Sequence, residues 1–73
     1  MKQYVVYFYI KANRNEYLAD VIIEAKTAAD ACKRCKEWYH AKTGKNAFRP
    51  TTKLSDESRK WYEDRGLIQH LTA

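Results

Sequence analysis

The sequence predicts an α+β fold in the order β-β-α-β-α: a three-stranded sheet, strand order 2-1-3, with one long helix packed on one face and a short C-terminal helix. Three observations carry this expectation. The first 25 residues are rich in Val, Ile, Tyr and Phe, and their apolar positions recur with the period of a strand. The stretch Thr27 to Gly44, TAADACKRCKEWYHAKTG, holds a start signal, a sustained helical spacing and a stop signal. A shorter segment opens on Ser55, with Asp56 and Glu57 behind it, and closes on Gly66.

Residues 3 to 11, QYVVYFYIK, form the first expected strand. Tyr4, Val6, Phe8 and Ile10 share one face, and Val5, Tyr7, Tyr9 and Lys11 share the other. Two apolar or aromatic faces imply a central strand with neighbours on both sides. Ala12 to Glu16 is the hairpin loop, where Asn13 and Asn15 tolerate left-handed backbone. Tyr17 to Ala25 is the second strand, with Tyr17, Ala19, Val21, Ile23 and Ala25 toward the core. Its other face, Leu18, Asp20, Ile22 and Glu24, is half polar, as on an edge strand.

Thr27 caps the long helix and Asp30, three residues on, completes a capping-box pattern. Gly44 ends it in a left-handed conformation that costs glycine little. Ala28, Ala31, Cys32, Cys35, Trp38, Tyr39 and the stem of Lys42 fall on one broad face. Asp30 with Arg34, and Lys33 with Glu37, are spaced for ion pairs across the outer surface. After Gly44, Lys45 to Lys53 reads as an extended strand at an edge, because Pro50 cannot donate to a ladder. The second helix runs from about Asp56 to Arg65 and places Leu54, Ser58, Trp61, Tyr62 and Arg65 toward one side. Leu67 to Leu71 is either a short closing strand or a tail that docks its leucines. A right-handed crossover through the long helix sets strand three beside strand one.

Seventy-three residues make a single domain, residues 1–73, with a modest core. No Gly-rich phosphate loop, nucleophile elbow or paired carboxylates with an intervening histidine occur, and an enzyme is not expected. No apolar run approaches a membrane span, and the N-terminal residues enter a strand pattern directly. A cytoplasmic protein with no membrane association is therefore expected. No cofactor is implied.

Cys32 and Cys35 form a C-x-x-C pair. A redox pair needs its first cysteine at a helix N-terminus, and Cys32 lies past that turn. A zinc site needs convergent ligands, and His40 points away from both thiols by helical spacing. Both thiols are expected to pack as small hydrophobes, with no metal bound.

The net charge of +5 is unevenly placed. From Lys26 to Lys53 there are eight cations and two anions, +6, whereas the remainder sums to −1. Such a segment favours nucleic acid, a nucleoprotein or an acidic protein surface. The expected phosphate contacts are Lys26, Lys33, Lys36, Lys45, Arg49 and Lys53, with His40 on the same flank. Tyr7 and Tyr9, with Lys11 and Arg14 nearby, offer a stacking platform if their sheet face is open. If Trp61 and Tyr62 cover that face, the two tyrosines are second-layer core. The leading expectation is a small binding module for nucleic acid. The alternative is a protein-interaction module, an accessory or inhibitory protein of a mobile element or a homodimer, using the aromatic face or an edge strand.

Overall fold

The chain pairs its two longest strands first. In the computed structural model, which describes residues 1–73, β1 (Lys2–Ala12) and β2 (Asn15–Ala25) run antiparallel in unbroken register from Lys2 opposite Ala25 to Ala12 opposite Asn15. Only Asn13 and Arg14 lie between them, with φ of 50° and 67°. Two left-handed central residues give a turn whose twist matches that of the strands. The second left-handed position is Arg14, not Asn15, which already belongs to β2.

α1 (Ala28–Thr43) follows with both expected caps. The Asp30 N–H donates to Thr27 Oγ1 at 3.1 Å, and Gly44, at φ 74°, donates to the His40 carbonyl at 2.8 Å. The Asp30 carboxylate reaches past the cap to the Lys26 N–H at 3.4 Å, so the reciprocal half of the box is displaced by one residue. Ala31, Cys35 and Tyr39 are buried on the sheet-facing side. There they meet Val6, Phe8, Ile10, Ala19, Val21, Ile23 and Ala25, with Ala47 closing the core beyond the helix. Alanine at positions 19, 25 and 31 lets α1 approach the sheet closely. Phe8, fully buried, tilts against Tyr39 at 5.1 Å between ring centroids, filling the wider end.

β3 (Phe48–Thr51) pairs antiparallel with β1 on its free side, as the crossover argument requires. It is shorter than the stretch from Lys45 to Lys53. Tyr9 faces Phe48 and Tyr7 faces Thr51, so Arg49 and Pro50 together oppose Phe8. This is a β-bulge, and Arg49 sits in it with φ 48°, a conformation that usually falls to glycine.

α2 (Asp56–Asp64) starts on Ser55, whose hydroxyl accepts from the Ser58 N–H at 3.1 Å. Arg59 pairs with Asp56 at 3.3 Å and Lys60 with Asp64 at 3.8 Å along its outside. The helix crosses the sheet face opposite α1, where the Tyr62 ring lies 5.6 Å from that of Tyr9. None of its residues is fully buried.

The chain then adds a fourth strand. β4 (Ile68–His70) runs parallel to β2, Leu18 opposite Ile68 and Asp20 opposite His70. The sheet is mixed, with order β3-β1-β2-β4, which corrects the expected three strands in order 2-1-3. Of the two readings of residues 67–71, the closing strand is realised. β2 is therefore interior at Leu18–Asp20, and Leu18, assigned to a half-polar edge face, is 1% exposed.

β4 ends early, and beyond it the tail, residues 71–73, runs near Ile22 and Glu24 without forming a strand. Leu18 N–H bonds the Leu67 carbonyl and Leu71 N–H bonds the Asp20 carbonyl, so even-numbered β2 residues aim their backbone away from β1. Ile22 and Glu24 continue that alternation past His70. On the face away from α1, Val5 and its cross-strand partner Ile22 are 44% and 56% exposed.

Candidate nucleic-acid interface

α1 turns its buried stripe to the sheet and its opposite stripe outward. Helical spacing puts Lys33, Lys36 and His40 within an arc of about 60° on the outermost side, spread over roughly 10 Å along the axis. All three are exposed. Lys26 precedes the helix and Lys45 follows it, its N–H held by Thr43 Oγ1 at 3.1 Å. The side chains of Lys26, Lys33, Lys36, Lys45 and Lys53 are exposed, and none forms an ion pair. Arg34, by contrast, is bound to Asp30 at 2.9 Å. Lys33 and Glu37 do not form their expected pair, which leaves Lys33 available. Lys42 lies 5.2 Å above the Trp38 ring.

The charge is segregated by layer. From Lys26 to Lys45 six cations face two anions. α2 with Ser55 and Arg65, together with the sheet face beneath it, carries seven anions (Glu16, Asp20, Glu24, Asp56, Glu57, Glu63, Asp64) against five cations. The shortest extent of the molecule is 18 Å, about two screening lengths at physiological salt. The acidic side therefore does little to cancel the field in front of α1.

Arg49 lies apart from this cationic crest. Its guanidinium stacks 4.2 Å from the centre of the Tyr9 ring, and Nη2 donates to Glu16 Oε1 at 2.9 Å. The Tyr62 hydroxyl donates to the same oxygen at 2.8 Å. Burial and this hydrogen bond push the Tyr62 hydroxyl up to about 12. Arg49 thus closes a contact between three elements. Unlike the lysines of the crest it is ion-paired, although its side chain stays largely exposed and only one of its N–H groups is engaged by Glu16.

Tyr9 is half-buried, with Arg49 over its ring and Tyr62 tilted against it, and does not form a freely open platform. Tyr7 is half-buried beside Leu18, Ile68 and the Asp20–His70 pair, in which His70 Nδ1 lies 2.8 Å from Asp20 Oδ2. The aromatic residues most open to solvent are Trp61, 49% exposed, and Phe48, 39% exposed. Sequence reasoning passed over both as candidate contacts. The spacing of Trp61 and Arg65, one helical turn apart, held the signal: the Arg65 guanidinium lies 3.8 Å from the Trp61 ring centre.

The two thiols sit where the helical period puts them. Cys35 is fully buried, and burial, then the neighbouring Cys32, pushes its thiol up to about 12. Burial also raises the half-buried Cys32. Neither has the depressed pKa of a reactive thiol. No group of three or more His, Cys, Asp or Glu side chains converges as a metal site would require, and no helix is long and apolar enough to cross a membrane.

No protein-family model, no curated protein and no solved structure matches this chain.

Proposed function

We propose that this protein is a small binding module whose α1 crest contacts the phosphate backbone of nucleic acid. The observation that carries the reading is the segregation of charge: Lys26, Lys33, Lys36 and Lys45 are exposed and unpaired on one side, and the acidic groups gather on the other. Unpaired lysines on a convex helix are point charges that neutralise phosphates and release counterions without reading bases. Tyr7 and Tyr9 lie on the sheet face opposite α1, so stacking plays no part at this surface and a duplex is the better partner.

Fluorescence anisotropy with duplex and single-stranded DNA and RNA at several salt concentrations tests this. About four phosphate contacts give a slope of log K against log salt of roughly −3.6 for duplex DNA. Absence of binding at low salt would sink the proposal.

A second reading, docking of a protein partner or a second copy, is favoured by the unpaired edge of β2 beyond β4, which only the tail, residues 71–73, flanks. Val5 and Ile22 form an exposed apolar pair there, and Ile22 and Glu24 present backbone groups that an added strand would bond. A mass near twice the monomer at high concentration, lost in Ile22→Lys, would select it.

A further inference from the structure

On the side of the sheet away from the α1 crest, a cleft of about 390 Å³ opens between α2 and the bulged end of β3. That is within the range of small-molecule sites. Its aromatic walls are Tyr62 and Trp61, and Tyr9, already contacted by Arg49 and Tyr62, also enters the lining. Tyr62 meets Tyr9 at 5.6 Å and Trp61 edge-on at 4.8 Å. Arg65, outside the cleft lining, stacks on Trp61 and steadies its ring. Flat aromatic surfaces meeting at an angle suit a planar heterocycle, which slides in by one face.

The polar lining makes a finer distinction. Glu16 is already occupied, because one of its oxygens accepts from both Arg49 and Tyr62. Glu57 also lines the cleft but has no ion-pair partner, so its carboxylate is a free two-oxygen acceptor. Arg49 gives one of its five N–H donors to Glu16 and keeps the others. The cleft therefore offers a free acceptor pair, a donor fork and aromatic faces.

We infer that this cleft binds a guanine base. Guanine carries two adjacent N–H donors on its Watson–Crick edge, which match the Glu57 carboxylate. Its O6 and N7 acceptors match the Arg49 guanidinium. Adenine has an unprotonated N1 where guanine has N1–H, and it meets Glu57 acceptor to acceptor. The base comes either from a free guanine nucleotide or from an unpaired guanine in a strand. The inference does not rest on the α1 reading, because cleft and crest lie on opposite sides of the sheet.

Tryptophan fluorescence is the readout, with GMP, AMP, CMP and UMP as probes and Trp61→Phe to show that the quenched ring is Trp61. GMP is expected to bind about tenfold more tightly than AMP, the discrimination one bidentate contact gives. Glu57→Gln should bring GMP down to the AMP level while leaving the circular dichroism unchanged, since Glu57 is exposed and unpaired. The triple variant Lys33→Gln, Lys36→Gln, Lys45→Gln should leave GMP binding intact even if it abolishes duplex binding. A short single strand with one central guanine, compared with its adenine counterpart, separates the sources. Tighter binding than GMP assigns the site to a strand, and equal or weaker binding assigns it to the free nucleotide. Equal affinity for all four monophosphates, no quenching by GMP at millimolar concentration, or an unaltered affinity in Glu57→Gln would each overturn the inference. Loss of GMP binding in the lysine variant would also overturn it, by placing the nucleotide on α1.

Discussion

Arg49 and Tyr9 stack face to cation, with the guanidinium carbon 4.2 Å from the ring centre. Read from the sequence, each is a surface group available to a ligand. In the fold they contact each other, and Glu16 and Tyr62 complete the cluster. The bulge is what makes this possible. By opposing two residues to one, it turns the Arg49 side chain toward the β1 surface, at the expense of a left-handed backbone.

Charge removal therefore has opposite consequences at the two places. The triple variant Lys33→Gln, Lys36→Gln, Lys45→Gln should lose duplex binding and flatten its salt slope by about 2–3, while stability to urea stays within about 0.5 kcal/mol. Arg49→Gln should leave duplex binding unchanged and cost about 1 kcal/mol, since both the exposed stacking and the partly exposed ion pair are modest contributions. Anisotropy and urea melts on the same two proteins decide it. A stable Arg49→Gln protein that fails to bind duplex would reverse the assignment.

Alkaline pH should loosen the α2 side first. Folding raises the Tyr62 hydroxyl from 10.0 to about 12. Between those values the folded chain keeps a proton that the unfolded chain has released, so stability falls as pH rises through this window. Below pH 10 the contribution is fully present. Tyr62→Phe lacks both the hydroxyl and this dependence. It should be less stable than the parent at pH 8 by about 1 kcal/mol, and the gap should narrow toward pH 12. A gap that stays constant across the window would show that Tyr62 does not titrate as the Glu16 contact implies.

How much of this was legible depended on the range of the interactions. The β1–β2 pair and α1 announce themselves locally: period-two alternation, a threonine cap and a left-handed glycine act within a few residues. β1 was recognisable as central because both its faces carry apolar side chains. β4 was not, because three residues hold no periodicity, and its strand character comes from Leu18 and Asp20, some fifty positions away. The burial of Leu18 follows from the same long-range pairing. Among candidate site residues, the exposure of the α1 lysines was legible because a helix face can be drawn from spacing alone. The Arg49 ion pair was not, because nothing local reports that its partner, Glu16, lies on another strand.

The cysteines should respond to alkylation as packing groups. Cys35 holds its proton well above neutral pH and has no exposed surface. Iodoacetamide at pH 8 should modify the half-buried Cys32 slowly and Cys35 only on unfolding, so mass spectrometry should find one adduct in the native protein and two in urea. Cys35→Ser, which sets a hydroxyl in an apolar core, should cost about 1–3 kcal/mol. The same change at Cys32 should cost less. Rapid double modification of the native protein would contradict the closed core beneath α1.

The two sides of the sheet should open at different rates. α1 covers a continuous core in which Val6, Phe8, Ala19, Ala25, Ala31 and Cys35 are fully buried, whereas α2 buries none of its own residues. What holds α2 and β4 is a short list: the Tyr9–Tyr62 contact, the Tyr62–Glu16 hydrogen bond, the Asp20–His70 contact, Leu71 at the margin of the core, and a three-residue parallel ladder. Local opening follows such differences in buried contact. Amide hydrogen exchange should therefore show α2 and residues 67–71 exchanging together and well before the inner half of α1 or the β1–β2 ladder. Glu16→Gln, which weakens the bond to Tyr62, should speed exchange in α2 selectively and leave the amides of α1 almost unchanged. Uniform acceleration across the chain would mean instead that the second layer is an integral part of one cooperative unit, and that the cleft between α2 and β3 is as rigid as the core.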